Sequence, residues 1–232
     1  MKVEIFSDVA CPWCYIGERR FAAALERFEG ADEVEVVFRP FQLDPGAPRT
    51  PRPLLESLEA KFGPTAEAKM RQVGMAAGRE GIVMNWDAAQ SVNTLEAHRL
   101  IRLAETEYGP AVQLAVLERL FAAYFVDGGN IADHTLLATI AADAGIDRAR
   151  AEAYLASEEG RQEVLGEIEI AQRIGVRAVP TFVFNGRHAV EGAQPVEVFA
   201  EILGELHRES AAIAADDGDA CADGVCAVEP QR

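Results

Sequence analysis

Cysteine is scarce in this chain: four residues in 232, set in two close pairs. So few cysteines exclude a secreted scaffold stapled by disulfides; close pairs in a reducing compartment are more often catalytic, redox-sensing or metal-binding. Basic charge is also short. The 22 Lys and Arg side chains face 38 Asp and Glu, a net charge of −16. Such a surface repels phosphate backbones and anionic lipid, so neither nucleic acid nor membrane is an expected partner. No apolar run approaches the length of a membrane span. Met1-Lys2 leads straight into an apolar segment with no basic region and h-region before it, so a cytoplasmic location is expected. There is no P-loop, no dinucleotide-binding glycine motif and no H-E-x-x-H, which leaves bound nucleotide and a catalytic metal without support. What remains is an ordinary globular composition, 49% hydrophobic and 26% charged. The length suits one large domain or one domain with an insertion.

The chain is organised around Cys11-Pro12-Trp13-Cys14. The alternation in Val3-Glu4-Ile5-Phe6 before it reads as a strand, and Ile16, Phe21, Ala24, Leu25 and Phe28 after it fall at helical spacing. Proline at a first helical position loses nothing, because that amide has no intrahelical partner. The free N–H groups and the positive end of the helix dipole point back at Cys11 and favour a thiolate there. Cys11 is then the attacking sulfur in thiol–disulfide exchange, and Cys14, one turn on, is placed to resolve a mixed disulfide. Pro12 and Trp13 between them tune the redox potential, and Trp13 shapes the approach of substrates. Two other readings of the pair are half of a zinc knuckle and two unrelated helix cysteines.

A second strand is expected over Glu33 to Arg39; so short a crossover implies parallel pairing with the first. A loop rich in proline follows. From Leu54 to about Gly175 the pattern is almost wholly helical, with helices expected at Leu54–Phe62, Glu67–Arg79, Thr94–Tyr108 and Ala111–Phe125. Further helices are expected at Asp133–Ala144, Ala149–Ala156 and Glu159–Ile174. Asn93 with Glu96 makes a candidate capping box. Strands return at Thr181–Phe184 and His188–Glu191, joined by the Asn185-Gly186 turn signal, and a last helix starts at Gln194-Pro195.

Strand, C-x-x-C, helix and strand, then a helical insert, then hairpin and helix, resembles a thioredoxin-like fold of the DsbA family. The fold class expected is therefore α/β, thioredoxin-like, interrupted by a large all-helical insertion. Residues 1–44 and 176–208 form the thioredoxin-like domain, 45–175 the insertion and 209–232 a flexible acidic tail. In folds of this kind a cis-proline faces the C-x-x-C, and Val179-Pro180-Thr181 stands at that position. The resemblance implies that Val179 and Pro180 position the substrate, the backbone of Val179 pairing with an extended chain. Ser7 to Gly17 and Ala97-His98-Arg99-Leu100 resemble the FrnE-like branch more closely. That branch is cytosolic and similar to 2-hydroxychromene-2-carboxylate isomerases and kappa-class glutathione transferases.

The resemblance implies a protein disulfide oxidoreductase or isomerase whose substrates are protein thiols and disulfides. The exchange itself needs no organic cofactor, and a low-molecular-weight thiol such as glutathione can serve as co-substrate. The alternative is a glutathione-type transferase or isomerase acting on a small molecule. Its relatives typically carry serine where Cys11 stands, so Cys11 with Cys14 argues for redox exchange. Asp8 could take the proton from Cys14 or be an ordinary strand-end carboxylate. Asn93 and His98 lie where the relatives would build a small-thiol pocket, or else cap a helix and fill the core. Cys221 and Cys226 form a C-x4-C in the tail, which is long enough when extended to reach Cys11 and Cys14. A relay of electrons between the pairs, a four-cysteine zinc site and a dispensable tail are the readings for it.

Overall fold

A computed structural model describes the backbone of residues 1–219 and the side chains of residues 1–210. Cys221 and Cys226 lie outside the described residues, and with them the candidate second redox pair. Strand β1 (Lys2–Ser7) runs into a tight turn and then helix α1 (Pro12–Leu25), which returns to β2 (Glu35–Pro40). The two strands pair in parallel, Lys2 opposite Glu35 and Ser7 opposite Pro40. After the insertion, β5 (Thr181–Phe184) pairs antiparallel with β1, and β6 (His188–Glu191) pairs antiparallel with β5. The sheet order is β2-β1-β5-β6. Helix α9 (Val196–Asp219) lies against α1. Phe21 of α1, Phe182 of β5 and Phe199 of α9 meet at ring-centroid distances of 4.6 to 5.5 Å. Each buried ring of this kind is worth roughly 1.5–3 kcal/mol in apolar burial.

The insertion contains α2 (Leu54–Phe62), α3 (Ala66–Arg79), α4 (Leu95–Leu103), α5 (Pro110–Phe125), α6 (His134–Asp143), α7 (Arg148–Ala156) and α8 (Arg161–Arg173). It is not wholly helical: β3 (Arg52–Pro53) pairs antiparallel with β4 (Gln90–Ser91). Pro51 and Pro53 hold that segment extended, since a fixed φ suits an edge strand and not a helix interior. The helix expected over Thr94–Tyr108 changes to π geometry at Ala104–Tyr108. The capping box expected at its start does not close. Asn93 Oδ1 accepts from Leu95 N–H at 2.9 Å, but the Glu96 carboxylate is drawn away by Arg99, Arg49 and Arg161. Helix α9 continues to Asp219, past the Glu209 at which the tail was expected to begin.

Gln113 and Tyr15 help dock the insertion on the thioredoxin-like part. Gln113 of α5 is fully buried, and its side-chain amide donates to Phe38 O at 2.9 Å and accepts from Phe38 N–H at 3.0 Å. It fills the open edge of β2, where unpaired backbone groups would otherwise stand bare. Tyr15, next to Cys14, stacks on Phe121 of α5 at 4.9 Å, so the active-site helix enters the aromatic core of the insertion.

Candidate active site

The turn from β1 to α1 is built by Asp8. Its carbonyl accepts from Cys11 N–H at 2.9 Å, and its carboxylate accepts from Leu43 N–H at 2.7 Å and from Ala10 N–H at 3.4 Å. Oδ1 also lies 3.2 Å from His98 Nε2 of α4, with both side chains almost fully buried. These contacts set Cys11 as the N-cap of α1 with Pro12 at the first helical position. Cys11 and Cys14 are both thiols.

Across from them the Val179–Pro180 peptide is cis. Cys11 donates its thiol hydrogen to Val179 O at 3.5 Å, which brings residues 11 and 179 together. Gly17 of α1 makes the approach of that loop possible: a Cβ there would lie 3.0 Å from Pro180 Cγ. Pro180 is buried, Val179 half-buried, and Trp13 half-buried beside the pair.

Cys14 is 2% exposed. Burial first, and then the neighbouring Cys11, push its thiol well above the ordinary range, with the Ser7 side chain and the Asp8 backbone working the other way. Burial, with the Asp8 carboxylate nearby, pushes the Tyr124 phenol up as well. Beside Asp8 and Ala10 a cleft of about 440 Å³ opens, lined also by Leu43, Ser91, Thr94 and Tyr124.

Of the residues singled out in the sequence, Cys11, Pro12, Trp13, Cys14, Asp8, His98, Val179 and Pro180 share this region. Asn93 serves the cleft wall: it donates to Pro45 O at 3.0 Å and Ala47 O at 3.2 Å and so ties the loop after β2 to α4. The sequence reading gave no role of their own to Ser7 and Gly17, the two ends of the motif quoted for the resemblance. Ser7 had a visible signal, a polar residue in strand register with buried Val3 and Ile5. Among the described residues no group of three His, Cys, Asp or Glu could hold a metal ion, and no helix is long and apolar enough to cross a membrane.

A family model for the DSBA-like thioredoxin domain matches residues 2–204. The chain belongs to the DSBA-like thioredoxin family. Among solved structures it is similar to a probable DsbA oxidoreductase of Streptomyces coelicolor, SCO1869. The two are 36% identical over 88% of this chain and 89% of that one, with a TM-score of 0.81. DsbM of Pseudomonas aeruginosa, a cytosolic disulfide reductase solved with GSH, shares the fold at 20% identity and a TM-score of 0.64. That match covers 89% of this chain and all of the other. The uncharacterized protein YwbO of Bacillus subtilis is 25% identical, covering 90% of this chain and 98% of its own length. As a DSBA-like protein the chain falls among thiol–disulfide oxidoreductases and carries Cys11 and Cys14 where β1 meets α1.

Proposed function

We propose that this DSBA-like protein is a cytoplasmic thiol–disulfide oxidoreductase or isomerase acting on protein thiols and disulfides. Cys11 attacks, Cys14 resolves, Pro12 and Trp13 tune the potential, and the Val179–Pro180 segment positions the substrate chain. The observation that carries this reading is the approach of Cys11 Sγ to Val179 O at 3.5 Å, beside the cis peptide. The backbone of Val179 stands next to the reactive sulfur, where an extended substrate chain could pair with it once its carbonyl is released from Cys11. Attack of a thiolate on a disulfide needs no other reagent. The Cys221–Cys226 pair enters as an electron relay to Cys11 and Cys14.

The test is the equilibrium reduction potential of Cys11–Cys14 in defined thiol buffers, on wild type and on Cys221→Ser/Cys226→Ser. A potential of about −120 to −180 mV marks an oxidant or isomerase, and one of about −270 mV a reductant. A shift in the double mutant supports the relay; an unchanged potential and turnover sink it. No reversible disulfide at Cys11–Cys14 sinks the whole reading.

The cleft beside Asp8 and Ala10 favours a second reading, a glutathione-type transferase or isomerase, and a small thiol such as glutathione as co-substrate in either case. A site of this volume suits a small ligand. Cys11→Ser separates the two: exchange is abolished, whereas a transferase or isomerase activity survives.

A further inference from the structure

One face of α1 meets the loop that carries Pro180 and the turn after β6. At Gly17 the helix is bare enough for both to close on it: a Cβ there would lie 3.0 Å from Pro180 Cγ and 3.4 Å from Ala193. Arg20 stands one turn further along the same face. Its guanidinium donates from Nη1 to Ala193 O at 2.7 Å and from Nε to Glu80 Oε1 at 2.6 Å. Both side chains are largely buried, Arg20 15% and Glu80 18% exposed. The planar fork of arginine suits this task, because it holds two acceptors at once through charge-assisted bonds. Glu80 is the C-cap of α3, at the negative end of that helix, where a carboxylate is unfavourable without a cation beside it. Arg20 supplies that cation.

From Ala193 the contacts run back to the cysteines. Its neighbour Gly192 donates its backbone N–H to Pro180 O at 2.7 Å. Gly192 has a φ of +82°, so the turn that aims this N–H suits glycine and strains other residues. Pro180 follows Val179, whose carbonyl lies 3.5 Å from Cys11 Sγ. Thr181 Oγ1 also donates to Ala178 O at 2.7 Å, but that bond closes on the loop itself. Arg20 ties the loop outward, through Gly192 and Ala193 to α1 and through Glu80 to α3 of the insertion.

We infer that Arg20, anchored by Glu80, is a positioning residue for the substrate-pairing edge at Val179–Pro180. This rests on the exchange reading above. An edge already held in place loses little freedom when an extended chain pairs with it, whereas a loosened edge must be ordered at binding. The effect of Arg20 therefore falls on substrate affinity. The sulfur chemistry is set by the first turn of α1, which Arg20 does not touch.

The experiment compares Arg20→Met, which keeps the apolar stem and removes the donors, with wild type in the full chain. Turnover of a disulfide-bonded peptide gives KM and kcat, and iodoacetamide alkylation reports the reactivity of Cys11. Amide hydrogen exchange reports the loop. The expected result is a KM raised about tenfold, the loss of one hydrogen bond to a charged group, with kcat within about twofold. Alkylation stays within about twofold of wild type, because a small reagent reads only the thiolate. The Gly192 N–H exchanges about tenfold faster, while the amides of β1 keep their wild-type protection. Should Arg20→Met not fold, Glu80→Ala, which leaves Arg20 without its anchor on α3, carries the same comparison. A KM within about twofold of wild type, a loss confined to kcat, or faster exchange shared equally by Gly192 and β1 overturns the inference. Each of these leaves the exchange reading in place. A wild type that forms no reversible disulfide at Cys11–Cys14 overturns both.

Discussion

The carboxylate of Asp8 lies 3.2 Å from Nε2 of His98, and this buried contact ties the turn before Cys11 to helix α4 of the insertion. Asp8 also accepts from Leu43 and Ala10 N–H, so one side chain holds the active-site turn, the loop after β2 and the insertion together. Asp8→Ala is expected to lower stability by about 3 kcal/mol, because it strands buried donors on several elements at once. Asp8→Asn, which keeps an acceptor, is expected to lose about 1 kcal/mol. Urea midpoints at constant m-value check both. Equal losses in the two variants would mean that the hydrogen bonds are not what Asp8 contributes.

Gly17 and Pro180 give a prediction in which stability and activity part company. Replacing Gly17 by Ala in the middle of α1 favours the helix by about 1 kcal/mol. The added Cβ stands 3.0 Å from Pro180 Cγ and 3.4 Å from Ala193, and such overpacking costs about 1–3 kcal/mol. The opposing effects leave net stability within about 2 kcal/mol of wild type. The displaced Pro180 shows instead in the exchange rate, which is expected to fall about tenfold, a change equal to about 1.4 kcal/mol in the barrier. Urea unfolding and disulfide-exchange turnover, measured on the same preparation, check the split.

Arg99 is the largest fully buried polar side chain of the insertion. It donates to the carbonyls of Tyr154 at 2.8 Å, Ser157 at 2.7 Å and Glu159 at 2.8 Å, and pairs with Glu96. It thereby gathers carbonyls from the end of α7 and the turn that follows it, of which Tyr154 O also accepts from Ser157. Arg99→Met is expected to lower stability by about 3–5 kcal/mol, since it leaves both those carbonyls and a buried carboxylate short of a partner. Chemical denaturation checks the magnitude. A loss below about 1 kcal/mol would assign the contacts no more weight than a surface ion pair.

What could be read in the sequence was what repeats or stands close along the chain. Period-two alternation marked β1, a compact run of strand-forming residues marked β5, three-four spacing marked the insertion helices, and Cys11 with Cys14 stood three apart. The cis-proline position came from resemblance, because nothing local to Val179 says that it meets Cys11 across 168 residues. Arg99 stood in a quoted motif, but the carbonyls it binds lie 55 to 60 residues further on. Glu96 was misread as a capping partner because the arginines that claim it come from residues 49, 99 and 161. The helix beyond Glu209 was hidden by acidity and small side chains, although Ala211, Ala212, Ala214 and Ala215 are good helix formers. The β3–β4 pair is only two residues long on each side, too short for any period to register.

Glu18 supplies a pH dependence with a definite sign. It sits one turn beyond Cys14 on α1, 3% exposed, with Oε2 buried and without a hydrogen-bond partner among the described residues. Burial and then the nearby Glu118 of α5 push its carboxyl from the ordinary 4.5 to about 7, with Arg19 working the other way. The folded state therefore holds this proton more tightly than the unfolded chain does. The resulting stability is fully present below about pH 4.5 and is lost as the pH rises through about 7. A displacement of this size amounts to roughly 3 kcal/mol. Glu18→Gln removes the titration and keeps the shape. It is expected to exceed wild type in stability by roughly 3 kcal/mol at about pH 8 and to match it near pH 4.5. Other carboxylates titrate over the same range, so the quantity to measure is the difference between variant and wild-type unfolding free energies at each pH. A difference that stays flat from acid to alkaline pH would show that Glu18 is charged throughout, and that Arg19 compensates the burial that the unpartnered Oε2 implies.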